Sequence, residues 1–225
     1  MRSRERAAKL FLIAPVALLL LFHFTFANDD RKNDRPPDLD EIEKRIRTFV
    51  PDRQYPDDPF VLVTVKEALA GSRESNGGVG ACLVQEATGT IVEVGHNRQF
   101  EPYFRSDLHA EMDLLTRYEE KVRARRLMNS SVSPEEQRQV EGLVLYTSVE
   151  PCPMCLARII NMRLRKTYYA APDITGGMAH KMQDLPEFWR ELAAGRSYER
   201  ARCSPELVAI AKSLFRPMAQ PASRQ

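Results

Sequence analysis

Cys152 and Cys155, set in Pro151-Cys152-Pro153-Met154-Cys155, put two thiols one helical turn apart just after the apolar run Leu143-Val144-Leu145-Tyr146. Two such thiols can grip one zinc ion. Upstream, His109-Ala110-Glu111 opens a second helical pattern and offers an imidazole for the same ion, with a carboxylate two residues on that need not be a ligand. Three protein ligands leave a fourth position open. An open position separates a catalytic zinc site, which binds and acidifies a water, from a closed four-ligand structural site. A redox pair or half of a zinc ribbon would also use C-x-x-C, but the chain has no second C-x-x-C, and a redox pair does not require His109 and Glu111. The thiols open a helix, whose positive N-terminal end favours thiolate over thiol. Pro151 and Pro153 suit that entry, where missing N–H groups are tolerated.

The elements around these residues follow from periodicity and caps. Leu39, Ile42, Ile46 and Phe49 recur at helical spacing and predict a short amphipathic helix ending at Pro51. Asp58-Pro59 predicts a helix start with Asp58 as N-cap, the helix running through Val65 and Leu69 to Gly71. Val79 to Gln85 and Ile91 to Val94 read as strands joined in a hairpin around Ala87-Thr88-Gly89. From His109 the spacing of Met112, Leu115 and Tyr118 predicts a helix whose first turn carries both His109 and Glu111, with Ala110 keeping the backbone close. Ser133-Pro134-Glu135-Glu136 reads as the capped start of another short helix. The strand before Glu150, a helix from Cys152 to Met162 and a strand from Thr167 to Ala171 make a strand-helix-strand unit. Beyond Asp173, helices are expected over Asp184 to Ala194 and over Pro205 to Phe215, the latter capped by Ser204. Alternation of this kind predicts a three-layered α/β domain.

At 225 residues, 43% hydrophobic and 28% charged, the chain accommodates one well-buried domain with attachments. The formal net charge of +2 comes from the first nine residues, four basic and one acidic; the remainder carries 29 basic and 30 acidic side chains, about −1. A near-neutral body argues against a large phosphate-binding footprint and so against nucleic acid as a partner. Arg196, Arg200 and Arg202 are the only hint of a basic mouth and read as solvated loop charges. Of the remaining cysteines, Cys82 sits in an apolar strand pattern, where a free thiol behaves as a small hydrophobe; a disulfide with Cys203 is the competing reading.

Arg2, Arg4, Arg6 and Lys9 precede an uncharged apolar run from Leu10 to Phe26, and Thr25-Phe26-Ala27 places small residues where a signal peptidase cleaves. A cleaved signal peptide and an uncleaved N-terminal anchor both fit, since the run approaches the length that spans a bilayer. Either predicts export of everything after Ala27, with membrane contact only through residues 10–26. The expected organisation is a signal peptide or anchor over 1–27, a linker and short amphipathic helix over 28–57, a catalytic domain over 58–216 and a tail over 217–225.

Five stretches in order, Val79-Gly80-Ala81-Cys82-Leu83-Val84, Gly95-His96-Asn97-Arg98, His109-Ala110-Glu111, Glu150-Pro151-Cys152-Pro153-Met154-Cys155 and Tyr168-Tyr169-Ala170-Ala171-Pro172-Asp173, carry a family resemblance over roughly Phe60 to Asp173. H-x-E followed by P-C-x-x-C is the signature of zinc-dependent nucleobase deaminases. The chain resembles the cytidine/deoxycytidylate deaminase superfamily, within it the branch of guanine deaminase and the tRNA adenosine deaminases. The stretch between His109 and Cys152 is longer than the family leads one to expect, its charged excess falling near Glu119 to Glu141.

The resemblance implies a three-layer α/β/α fold with a mixed central sheet and a zinc ion on His109, Cys152 and Cys155. It implies hydrolytic deamination with zinc hydroxide as nucleophile and Glu111 as proton shuttle, and a substrate contact from Asn97. It also implies a homodimer. Tyr103, Phe104 and Trp189 are candidate pocket walls. The expected substrate is a free base or nucleoside of the guanine, cytosine or cytidine type, because an exported, near-neutral domain neither meets nor attracts tRNA. A tRNA adenosine deaminase, and a non-catalytic zinc-stabilised binding domain, are the alternatives. Glu111 favours an enzyme over the last of these, since a scaffold has no use for a proton shuttle.

Overall fold

The computed structural model describes residues 37–128, 140 and 142–215. Five strands form one sheet in the order β2-β1-β3-β4-β5: β1 (Gly80–Gln85), β2 (Thr90–His96), β3 (Leu143–Val149), β4 (Lys166–Ala171) and β5 (Ser197–Arg200). β1 runs antiparallel to both β2 and β3, whereas β3, β4 and β5 are mutually parallel, so the sheet is mixed. The hairpin between β1 and β2 turns at Gly89, whose φ of +68° is the left-handed conformation that glycine adopts at no steric cost.

Side chains alternate across the sheet, and the two faces are covered by different helices. Cys82, Val84, Val144 and Tyr146 point to one face, where they meet α1 (Leu39–Thr48), α2 (Asp58–Arg73) and α6 (Pro205–Leu214) through Ile42, Val61, Val65, Leu207 and Ile210. Ala81, Leu83, Leu143 and Leu145 point to the other, against Leu114 and Leu115 of α3 (Ala110–Met128) and Ile159 of α4 (Pro153–Asn161). Layers of helix, sheet and helix follow, as expected. β3 is buried at every position, which is why it reads as a continuous apolar run rather than an alternating one.

Several boundaries differ from expectation for physical reasons. α2 starts at Asp58 with Asp57 as N-cap, one residue early, because both carboxylates bind the segment leading into α6. Asp57 Oδ2 accepts from the Arg202 N–H at 2.7 Å and Asp58 Oδ1 from the Ser204 N–H at 2.7 Å. The helix expected over Asp184 to Ala194 is a 3-10 helix at Ala179–Asp184 followed by α5 (Glu187–Ala193). The charged excess from Glu119 onward begins as an extension of α3 to Met128; the helix start expected at Ser133 lies outside the described residues. All four cysteines are free, Cys82 and Cys203 both buried.

The expectation of an exported or membrane-anchored protein is corrected. A run of apolar residues measures hydropathy alone, whereas an anchor needs a helix of bilayer length. Among the described residues no helix is long and apolar enough to cross a membrane. The longest, α3, carries charges from Glu111 to Arg125. The residues expected to form the leader, 1–27, lie outside those described.

Candidate active site

The chemistry-bearing residues collect where β2, β3 and β4 end and β1 begins. α4 starts at Pro153 with Cys152 as its N-cap, so Cys152 and Cys155 stand at the positive end of the helix. α3 starts at Ala110, and the Asp113 N–H donates to the His109 carbonyl, so His109 and Glu111 flank the opposing helix start. The two helix starts can meet because α3 lies directly on β2. A Cβ added at Gly95 would come within 2.8 Å of the Leu114 Cβ. Charges fix the helix there: Arg117 bridges Asp113 at 3.0 Å and Glu93 at 3.6 Å, and Lys121 reaches Glu93 at 2.6 Å.

His109 Nδ1 lies 3.5 Å from Cys152 Sγ and 3.7 Å from Cys155 Sγ. The three ligand atoms all fall within 4.8 Å of one another, a separation one ion can bridge. The Cys155 S–H donates toward Cys152, and with His109 this holds the Cys152 thiol down at about 4. The same hydrogen bond, then burial, pushes Cys155 well up. The hydrogen bond to Cys152 raises His109. These contacts favour the thiolate form of Cys152, and two sulfurs with one imidazole form a donor set suited to zinc. Glu111 is 3% exposed and accepts from Thr147 Oγ1 at 3.0 Å. Burial, and after it the Cys152 charge, raise its carboxyl above the usual range.

A cavity of about 320 Å³ opens beside these groups. His109, Glu111 and Cys152 line it, together with Asn97 after β2, Val149 at the end of β3 and Glu150 after it, and Asp173 after β4. Cys155 is fully buried and is not among its walls. Asn97 is 6% exposed; its Oδ1 accepts from the N–H groups of Gln99 at 2.9 Å and Gly77 at 3.4 Å. Both bonds occupy the oxygen, so the Nδ2 amide is left to donate to a ligand.

The aromatic walls are not those expected. Tyr103 and Phe104 are each 64% exposed and do not line the cavity. Trp189 packs beside Leu156 and Ile160, away from it. The aromatic walls are Phe100 and, from the residue after α6, Phe215. Neither carries a local signal, although Phe100 shares the loop that carries Tyr103 and Phe104. Glu150 and Asp173 also went unnoticed as walls, despite lying inside quoted motifs. Arg196, Arg200 and Arg202 do not line the cavity; Arg196 instead donates to the Ile160 carbonyl at 2.6 Å.

Three comparisons bear on this geometry. The tRNA-specific adenosine deaminase of Bacillus subtilis (strain 168) is 30% identical over 129 residues, covering 57% of this chain and 70% of that protein. A solved structure from work on tRNA:A34 deaminases superposes with a TM-score of 0.51 at 23% identity, covering 70% of this chain and 99% of that one. The guanine deaminase of Nitrosomonas europaea superposes with a TM-score of 0.50 at 20% identity, covering 80% and 91%. At such identities the two structures speak for the shared fold. None of these relatives lends support to export, and with export goes one of the two reasons for setting tRNA aside. The family described as the cytidine and deoxycytidylate deaminase zinc-binding region has a model that matches residues 55–171, about half of the sequence and the part that supplies Asn97, His109, Glu111 and Cys152 to the cavity. The chain belongs to that family, and it is a zinc-dependent hydrolase of carbon–nitrogen bonds, a deaminase.

Proposed function

We propose that the chain deaminates a nucleobase presented as a free base or nucleoside, of the guanine, cytosine or cytidine type. The observation carrying this is that Glu111, Asn97, His109 and Cys152 line one cavity of about 320 Å³, in the size range of small-molecule sites. In this proposal His109, Cys152 and Cys155 hold the zinc. Bound there, zinc acidifies a water so that a nucleophile is available at neutral pH. Glu111 takes one proton from the attacking water and delivers it to a ring nitrogen, then takes the proton of the added hydroxyl and delivers it to the departing amine, which leaves as ammonia; its upward-shifted carboxyl suits both transfers. Thr147 holds the carboxyl in place through its hydroxyl. Asn97 donates from Nδ2 to the base, and Phe100 and Val149 exclude water from its faces.

A second reading, an adenosine within tRNA, is favoured by the name of the Bacillus subtilis relative. The charge of about −1 from residue 28 onward weighs against it, since it exerts little pull on a phosphate backbone. Ammonia release from guanine, cytosine, cytidine, adenosine and total tRNA separates the two. Turnover of a small substrate that tRNA at low salt fails to inhibit supports the first. Turnover of tRNA alone, or inhibition by tRNA that fades steeply with salt, supports the second. The homodimer belongs to the proposal and is tested by sedimentation velocity on the zinc-loaded chain.

A further inference from the structure

The mechanism leaves one buried carboxylate at the cavity unused. Glu150 stands between β3 and the thiols, and its side chain is 0% exposed although it lines the cavity. Its Oε2 accepts from the Asp173 N–H at 3.1 Å. Its Oε1 accepts from the His180 backbone N–H at 2.8 Å and from His180 Nδ1–H at 2.6 Å. One oxygen therefore takes one end of the segment 173–180, and the other oxygen takes the other end.

Between those ends the chain folds over the carboxylate. Asp173 Oδ1 accepts from the N–H groups of Thr175 at 3.2 Å and Gly176 at 2.9 Å, and the Gly177 N–H donates to the Asp173 carbonyl at 2.9 Å. A Cβ added at Gly177 would lie 2.6 Å from the Glu150 Cδ, so only glycine lets the segment cross so close. Asp173, Thr175 and Gly176 in turn form a wall of the cavity. A buried carboxylate stripped of its donors is costly, so carboxylate and segment depend on each other.

We propose that Glu150 is a positioning residue: it clamps both ends of segment 173–180 and so sets that wall of the cavity against the turn bearing Cys152 and Cys155. The inference rests on the deaminase reading only in taking this cavity as the substrate site. Glutamine at this position has the shape of glutamate but carries one oxygen and one NH₂, so whichever way it turns, one end of the segment faces a donor instead of an acceptor. That end is released, the binding-competent arrangement is populated less, and apparent affinity falls by the same fraction. Glu111 and the proposed zinc ligands are left unchanged.

The test uses the zinc-loaded full chain and Glu150→Gln. Amide hydrogen exchange at Asp173 or His180 should rise at least about 10-fold, the loss expected of one charge-assisted bond. Zinc content should match the wild type. On whichever of guanine, cytosine, cytidine, adenosine or tRNA the wild type turns over fastest, KM should rise at least about 10-fold with kcat within about 3-fold. His180→Ala, which removes the ring donor but keeps the backbone one, should give the same pattern more weakly. Unchanged exchange at both amides, loss of zinc, or a fall in kcat with KM constant overturns the inference. If the wild type acts on none of these substrates, the reading of the substrate fails, and the exchange at Asp173 and His180 alone decides whether the clamp exists.

Discussion

Glu111→Gln isolates the proposed proton shuttle. The substitution preserves volume, and the amide oxygen still accepts from Thr147 Oγ1, now 3.0 Å away, so the fold and the zinc site should stand. What disappears is a group able to take and give a proton. General acid/base catalysis contributes about 10² to 10⁴-fold, which at about 1.36 kcal/mol per factor of ten is about 2.7 to 5.4 kcal/mol of barrier. Ammonia release should fall by that factor while zinc per chain stays constant. A linked effect on stability has a definite sign. Burial raises the Glu111 carboxyl above its ordinary value of 4.5, so the folded metal-free chain holds this proton to higher pH than the unfolded chain does. That contribution is fully present below the unfolded value and is lost as pH rises through the folded one. Metal-free Glu111→Gln, which has no such proton to lose, should therefore gain stability relative to wild type between pH 5 and 8. Turnover within about 3-fold of wild type would remove Glu111 from the chemistry, and parallel pH–stability curves would refute the burial argument.

Replacing both thiols, Cys152→Ser with Cys155→Ser, should abolish zinc binding and lower the melting temperature, because an ion held by His109, Cys152 and Cys155 would tie the start of α3 to that of α4; metal analysis showing full zinc would contradict the assignment. His96 bridges Glu67 at 2.9 Å and Glu74 at 3.0 Å, and the Glu67 hydrogen bond, aided by Glu74, raises it above its ordinary 6.5. Its contribution to stability is fully present below that value and lost as pH rises through the raised one, so urea unfolding should show a loss from pH 6 to pH 9 that Glu67→Gln with Glu74→Gln removes. Leu145 of β3 is 0% exposed within the α3 and α4 face of the core. Leu145→Ala should cost about 2 to 5 kcal/mol in urea unfolding, and a loss below about 1 would mean that the site collapses around the cavity.

The zinc-site candidates were legible because their information is local. Two cysteines three apart after an apolar run stand one turn apart on any helix, and His109 and Glu111 share a helix start whatever lies around them. Caps and turns behave likewise: Ser204 caps α6 and Gly89 turns the hairpin through contacts spanning a few residues. β5 was missed because Ser197-Tyr198-Glu199-Arg200 is a short edge strand, half-buried and exposed in pairs, with no alternation to read. The apolar run near the N-terminus reads as a signal peptide or an anchor from hydropathy alone, which fixes length and polarity but no partner.

By itself, the sequence determined the candidate donor set, the proton shuttle candidate and the alternation of helix and strand, since spacing along the chain decides these. Only the tertiary structure decided that Phe215 and not Trp189 walls the cavity, that Asp57 and Asp58 bind the chain ahead of α6, and that Glu150 holds both ends of segment 173–180. Such pairings join residues 23 to 146 positions apart. Which of many chemically equivalent donors meets a given carboxylate at that distance is settled by how the layers pack, and no local pattern encodes it.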